Sequence, residues 1–264
     1  MSVWDIIARS RDELLKYAVE KLQFHLSTEP VPARWHAILA RSVPLANTLN
    51  AAERDRLLRV ARLLISEVPF EGVSAVVLTD EMRVTIAATA SLLIYRLPYP
   101  RFTRLVRILV YPETFIPKQP ASSRDTTVIE SDPSLGEALR SGVVVLSWEA
   151  VQNDAANQHA SGSVVLHEMA HILDAEDGIF DGMPVFDDAA QGAKWARILD
   201  REFTRQRDAV EAGEEGPLDD YAARNHAEFF AVATEAFFCS PESLRTKLPD
   251  LYEQLERFYR RDIA

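Results

Sequence analysis

The sequence predicts an α+β protein in which several helices surround a small sheet. In segments 50–68 and 80–95, apolar residues recur every three to four positions, which is the spacing of amphipathic helices. Two short apolar segments, Arg107–Tyr111 and Val143–Trp148, have the composition of buried strands. The helices and strands do not alternate regularly along the chain, and this favours an α+β arrangement.

The first half of the chain is expected to be mainly helical. Residues 1–30 predict an N-terminal helical extension whose apolar face either packs on the body of the protein or binds a partner. Asn50 can cap a helix that has Glu53 at its third position. A short strand is predicted at Ala75–Leu78, and a helix is predicted from Asp80 to about Tyr95.

The middle of the chain predicts a long surface loop between Pro112 and Gly142, with a short helix near 135–139. A polar connection follows the Val143–Trp148 strand as far as Gly162, and an apolar helix begins after it. We expect residues 31–264 to form a single domain, with a helical and sheet part at 31–150 and a second part at 151–264.

Composition narrows the possible functions. The chain has 264 residues and a formal net charge of -11, and no basic stripe suited to a nucleic acid backbone is visible, so direct nucleic acid binding is not expected. No apolar stretch approaches the roughly 20 residues that span a bilayer. The one cysteine, Cys239, cannot pair within the chain, and the first residues lack a signal-peptide pattern. We therefore expect a cytoplasmic protein.

The run His167-Glu168-Met169-Ala170-His171 is the most informative motif. Four residues of helix turn through about 400°, so both imidazoles project from one face and can bind the same zinc ion. Glu168 stands about 100° round the helix from His167, a position suited to a general base and unsuited to a ligand. The alternative is that both histidines are ordinary core or surface residues.

A catalytic zinc ion usually has three protein ligands, so the sequence must supply another. Asp177 stands six residues after His171, where some zinc enzymes have a third histidine, but no glycine turns the chain before it. The apolar helix predicted at 227–238 carries Glu228 and Glu235, seven residues apart on one face. Each of these carboxylates is either a metal-site residue or a member of an ion pair.

The run from Tyr221 to Ala231, Tyr221-Ala-Ala-Arg-Asn-His-Ala-Glu228-Phe-Phe-Ala231, resembles the zinc peptidases of the MtfA (Mlc titration factor A) family. Its Tyr-to-Glu spacing is also similar to that of the anthrax lethal factor catalytic domain. Further segments that resemble the family extend through most of the chain after residue 30. The resemblance implies a zincin-like fold, in which the helix with the two histidines is followed by a helix that bears the glutamate ligand.

The resemblance also implies the roles of the site residues. His167, His171 and Glu228 would bind one Zn²⁺ per chain, Glu168 would act as general base, and Tyr221 would place its phenol against the substrate carbonyl. The expected activity is peptide bond hydrolysis, with an aminopeptidase-like preference for small substrates. An alternative implied by the same family is a non-catalytic role in sequestering a transcriptional repressor.

Other polar residues near the motifs have two interpretations each. Asp174 follows His171 by three positions and either accepts a hydrogen bond from its ring or is a solvated or capping residue. The acidic stretch 174–188 favours a solvated lip over a calcium site, because it lacks the ordered spacing of calcium loops. His159 and His226 are interpreted as surface or supporting residues and not as ligands.

Overall fold

The computed structural model describes residues 30–97, 102–113, 141–156, 162–186 and 188–259, which contain nine α-helices and three β-strands. The helices are α1 (Ala33–Ser42), α2 (Ala51–Glu67), α3 (Asp80–Ser91), α4 (Trp148–Ala156), α5 (Val164–Asp174), α6 (Ala189–Ala212), α7 (His226–Cys239), α8 (Pro241–Lys247) and α9 (Pro249–Tyr259). The strands are β1 (Phe70–Gly72), β2 (Arg107–Tyr111) and β3 (Val143–Ser147), and short 3₁₀ turns lie at Pro44–Thr48, Ala175–Asp177 and Asp220–Ala223.

The three strands form a parallel sheet in the order β1-β2-β3. Ile108 in the central strand pairs with Phe70 on one side and with Val144 on the other. Alternate residues of β2 and β3 are fully buried, so one face of the sheet is packed against the helices. The prediction of an α+β protein is confirmed: helices surround a small parallel sheet. Strand β3 lies at one edge of the described sheet.

Several predicted elements agree with the structure. Asn50 and Glu53 form the expected capping box at the start of α2, each side chain accepting a hydrogen bond from the other's backbone N–H. The strand predicted at Arg107–Tyr111 is β2. The helix predicted from Asp80 begins there as α3, although its regular part ends at Ser91 and turns follow it.

The strand predicted at Ala75–Leu78 is wrong. Ser74 and Ala75 have φ angles of 54° and 66°, a left-handed conformation that cannot continue a strand, and Val77 is 83% exposed. The sheet is instead completed by β1 at Phe70–Gly72. A side chain at Gly72 would approach the carbonyl oxygen of Val76 to 2.0 Å, so this sharp turn requires glycine.

The region after the third strand also differs from the prediction. The strand ends at Ser147, whose hydroxyl accepts a hydrogen bond from the Ala150 N–H, and Trp148 already belongs to α4. Residues 148–156, predicted as the end of the strand and part of a polar connection, are therefore helical. The 24-residue helix α6 was not predicted. The predicted N-terminal helix, apart from residue 30, and the predicted helix near 135–139 lie outside the described residues.

The core is one continuous cluster with residues from before and after position 150. Helices α5 and α7 pass through it, and both are apolar on nearly all sides, so their few polar side chains are held inside the protein. Within the described ranges, no helix combines the length and the apolar composition that crossing a membrane requires.

Asp154 in α4 fixes the start of α5. Its Oδ2 accepts a hydrogen bond of 2.8 Å from the backbone N–H of Val164, the first residue of α5. Burial raises the pKa of the Asp154 carboxyl to about 6; the Val164 hydrogen bond opposes this rise, and the nearby charge of Glu235 adds to it. An ionised Asp154 is therefore destabilising in the folded protein.

This raised pKa predicts a pH-dependent effect of Asp154→Asn. The carboxyl loses its proton near pH 3.8 when unfolded but near pH 6 when folded, so this group removes stability as the pH rises between those values. The asparagine oxygen can still accept the Val164 hydrogen bond and carries no charge. We expect the variant's unfolding temperature, relative to the wild type, to increase from about pH 4 to about pH 6 and then level off.

The difference in unfolding temperature between the variant and the wild type is measured by thermal unfolding at each pH. A chelator is present so that metal release does not contribute. Asp154→Ala is the matched control: it removes the charge and also the hydrogen-bond acceptor, and should be less stable than Asp154→Asn throughout. If the difference in unfolding temperature between Asp154→Asn and the wild type does not change with pH, the prediction is wrong.

Candidate metal centre

Helix α5 places His167 and His171 side by side. Ser163 caps this helix, with its hydroxyl accepting from the Leu166 N–H, and residues 165–174 are all buried. The two imidazoles are one turn apart, with ring centroids separated by 4.9 Å and Nε2 atoms separated by 3.2 Å. Both Nε2 atoms therefore face the same small space.

Helix α7 brings Glu228 to that space. Asn225 caps the helix by accepting a hydrogen bond from the Glu228 N–H, so Glu228 lies in the first helical turn. Its Oε2 lies 3.1 Å from Nε2 of His167 and 3.3 Å from Nε2 of His171. The three side chains offer ligand atoms within 4.8 Å of one another, and no other such group was found among the described residues.

The environment of Glu228 favours its ionised form. Burial, the largest influence, would raise the pKa of this carboxyl, but hydrogen bonds and charge interactions with His167 and His171 outweigh it and lower the pKa to about 2. A partly buried carboxylate next to two imidazole nitrogens is a donor set that suits Zn²⁺. The residues present thus fit a divalent metal ion.

Glu235 lies two turns after Glu228 and contacts the other side of His167. Its Oε1 is 2.7 Å from Nδ1 of His167, and its Oε2 accepts a hydrogen bond of 2.6 Å from the Ser163 N–H. A carboxylate at the second ring nitrogen of a metal-binding histidine fixes the orientation of the ring. A side chain at Gly162 would come within 2.3 Å of Oε2, so this glycine makes room for the contact.

Tyr221 borders the same space, and Glu168 follows His167 on α5. Glu168 is adjacent to His167 on α5 and is only 7% exposed. Tyr221 lies in the 3₁₀ turn Asp220–Ala223, and its ring centroid is 5.9 Å from that of His167. The guanidinium of Arg224 covers the Tyr221 ring at 4.1 Å. The structure therefore brings Tyr221 next to His167 in the three-residue donor group, and Glu168 follows His167 directly on the same helix.

Asp174 has neither of the two environments predicted for it. It is completely buried, so it is not solvated, and the described hydrogen bonds do not include one from His171 to it. Its Oδ2 accepts from the Gly182 N–H at 3.0 Å, which ties the following loop back onto α5. Burial, the dominant influence, raises the pKa of this carboxyl to about 7. The hydrogen bond of Asp174 thus supports the loop, and its contact with His171 is a charge interaction that partly opposes the rise of the pKa.

Among the described residues, the other acidic and histidine candidates are not part of the group of three donors. Asp177 is exposed and accepts a hydrogen bond from the Ile179 N–H, so it is not placed as a ligand. Asp181 and Asp188 bond to nearby backbone N–H groups in the same way. His226 stacks on Phe203 at the surface, and His159 lies outside the described residues.

One residue that shapes the site, Gly162, was not predicted from the sequence. The clearance at Gly162 depends on Glu235, 73 positions later, so nothing in the local sequence indicates why glycine is required there. A glycine directly before the capping serine of the histidine helix is the one local signal, and it is compatible with an ordinary helix start.

Comparisons with known proteins show the family of this chain. The chain matches the family described as glucose-regulated metallo-peptidase M90 over residues 17–260, which includes the last part of the segment 1–30. The Synechocystis protein named uncharacterized protein slr2042 is 33% identical over 237 residues, covering 89% of this chain and 86% of its own. Mlc titration factor A of Yersinia pestis (strain Pestoides F) is 33% identical over 236 residues, covering 87% of this chain and 85% of its own. Because its sequence matches the family over most of its length, this chain belongs to the M90 metallopeptidase family, to which the MtfA resemblance pointed.

Proposed function

We propose that this chain is a zinc-dependent peptidase in which His167, His171 and Glu228 bind one Zn²⁺ ion. The observation that carries the proposal is the convergence of their three ligand atoms within 4.8 Å inside the protein. Three protein ligands with a general base beside them are typical of a catalytic zinc site, whereas a structural site usually has four ligands. When bound, zinc supplies Lewis acid chemistry, which polarises a carbonyl group and acidifies water.

Glu168 moves the proton in this proposal. Its carboxylate follows His167 directly on α5, and its low exposure keeps bulk water from competing for it. It takes a proton from the attacking water and passes it to the nitrogen of the departing amine. Both transfers use the same carboxylate, so it returns to its ionised form at the end of each cycle.

Tyr221 binds the substrate carbonyl. As the carbonyl becomes tetrahedral its oxygen gains negative charge, and the phenol O–H donates a hydrogen bond to it. The edge-on contact of its ring with the His167 ring, at 5.9 Å between centroids, supports this role. The guanidinium of Arg224, 4.1 Å from the ring centroid, limits the movement of the Tyr221 ring.

We further propose that the substrates are small peptides processed in the cytoplasm with aminopeptidase-like specificity. The family resemblance supports this preference. An extended substrate can pair with an exposed sheet edge, and β3 is available for that role because it is an edge strand of the described sheet.

A second function is binding to a transcriptional repressor. The relatives from Yersinia are named Mlc titration factor A, and the family is described as glucose-regulated. These names favour a repressor of the Mlc type as a partner of this chain. This function requires the folded surface and does not require peptide hydrolysis.

Metal content tests the ligand set. We expect the purified protein to bind about one zinc per chain, and His167→Ala, His171→Ala or Glu228→Ala each to remove most of it, because three ligands leave no redundancy. Glu235→Gln should retain a full site at saturating zinc with about 10- to 100-fold weaker affinity, since it only orients His167. Metal analysis and competition with a chromogenic chelator measure both quantities.

Asp177→Ala is the matched control for these substitutions, because Asp177 lies just beyond α5, is exposed and is not part of the group of three donors. It should bind zinc like the wild type. Loss of zinc from Asp177→Ala together with full zinc in Glu228→Ala would show that the ligand assignment is wrong.

Glu168→Gln separates the two functions. Glutamine keeps the size of the side chain but cannot take a proton, so zinc content and unfolding temperature should be unchanged. Hydrolysis of the best substrates in a quenched fluorescent peptide library should fall by about two to four orders of magnitude. Binding of a repressor, measured with a purified Mlc-type protein, should survive the substitution.

The peptide screen has an outcome that contradicts the peptidase proposal. If the wild type and Glu168→Gln show the same trace activity on every peptide, the hydrolysis does not come from this site. Repressor binding by both proteins would then make the second function the main one.

A further inference from the structure

The segment between α6 and the Tyr221 turn contains no helix or strand. Helix α6 ends at Ala212, and Gly213 reverses the chain with a φ angle of 71°. The chain then reaches the 3₁₀ turn at Asp220 without regular backbone pairing. The position of Tyr221 therefore depends in part on the contacts that hold residues 213–219 in place.

One buried side chain, Gln206 of α6, holds this segment. Its Oε1 accepts a hydrogen bond of 3.0 Å from the Leu218 N–H, and its Nε2 donates to the Leu218 carbonyl at 3.1 Å and to the Asp219 carbonyl at 3.0 Å. The relative exposure of Gln206 is 0%. A buried amide with three good partners is both energetically satisfied and rigidly placed.

Two further contacts extend this arrangement, one before and one after the residues that Gln206 binds. On one side, a side chain at Gly216 would lie 2.5 Å from Oε1 of Gln206, so glycine lets the backbone pass close to the amide. On the other, the Asp219 carboxylate accepts a hydrogen bond of 2.9 Å from the Tyr221 N–H and caps the turn. Gln206 is thus connected to the backbone of Tyr221 through Asp219.

From these contacts we infer that Gln206 is a positioning residue for Tyr221, an inference that rests on the proposed peptidase function. Gln206 is not one of the three metal-binding donors. A hydrogen-bond donor stabilises an oxyanion only when it is about 2.7–3.1 Å away, and a displacement of about 1 Å can lower the rate about 100-fold. Loosening the segment should therefore act on catalysis through the phenol.

The alternative is that Gln206 only stabilises a loop. The two roles differ in how a Gln206 substitution combines with Tyr221→Phe. A residue that acts through the phenol has nothing left to position once the hydroxyl is absent, so the two effects should not add. A residue that only stabilises the loop should lower activity by the same factor in both backgrounds.

The test uses the zinc-loaded full chain with the best substrate from the peptide library. Gln206→Met keeps the size of the side chain and removes all three hydrogen bonds. We expect kcat to fall about 10-fold or more, with KM and zinc content within about twofold of the wild type. In the Tyr221→Phe background, which should itself have a low kcat, Gln206→Met should change kcat by less than about twofold.

Gln254→Met is the matched control. Gln254 of α9 is also buried, at 1% exposure, but its amide has no hydrogen-bond partner among the described residues. The same replacement there should leave kcat at the wild-type value. If Gln206→Met does not fold, Gly216→Ala serves in its place, because the new methyl group pushes against the Gln206 amide without removing any hydrogen-bonding group.

Hydrogen exchange gives a readout that does not depend on activity. The Leu218 amide should exchange faster in Gln206→Met, or in Gly216→Ala, and not in Gln254→Met. An unchanged kcat, or an equal loss of kcat in both Tyr221 backgrounds, overturns the inference and leaves the peptidase proposal intact. If Tyr221→Phe itself has the wild-type kcat, the proposed role of the phenol is wrong and this inference fails with it.

Discussion

The hydrogen bonds of Glu235 hold the metal centre together. This carboxylate contacts the His167 ring at Nδ1 and the backbone N–H of Ser163, so one side chain of α7 fixes both a histidine and the start of the helix that carries it. Glu228, which is also on α7, contacts Nε2 of His167 and of His171. This second carboxylate lies on the opposite side of the His167 ring from Glu235. The imidazole is thus held from both sides by one helix.

This geometry depends on the apolar surroundings of α5 and α7. In a water-filled cleft, exposed pairs of imidazole and carboxylate would contribute little and would change their geometry easily. Within the core, an unpaired carboxylate is strongly unfavourable, so each acid is restricted to the few positions where a partner is available. A set of two histidines and one ionised glutamate in such surroundings favours a divalent cation, which offsets the negative charge.

Local patterns predicted the parts of the structure that are encoded locally. The capping box at Asn50, the strand at Arg107–Tyr111 and the spacing of the two histidines all depend on residues within a few positions of one another. Helix α6 was missed although its buried residues recur at helical spacing, because two of them, Glu202 and Gln206, are polar and interrupt the apolar pattern. The left-handed residues before Val77 were equally hidden, since alanine and serine rarely indicate a turn of this kind.

The surroundings of the site were harder to predict, because they depend on contacts between distant parts of the chain. Asp174 was predicted either to accept a hydrogen bond from the His171 ring or to be a solvated or capping residue, but it is buried and accepts its hydrogen bond from the Gly182 N–H of the returning loop. Glu235 was identified as a candidate from its position seven residues after Glu228. Its actual partners on α5 could not be derived from the sequence of α7 alone.

Because Glu228 and Glu235 must stay seven residues apart, α7 should not tolerate an insertion or a deletion between them. Seven residues are close to two full helical turns, whereas one inserted or deleted residue would rotate the second acid by about 100° relative to the first. A substitution in this stretch can be tolerated if it fits the core, but an insertion or deletion would leave one face of His167 without a carboxylate. Length variation among relatives should therefore be confined to the connections on either side of this helix and be absent from residues 228–235.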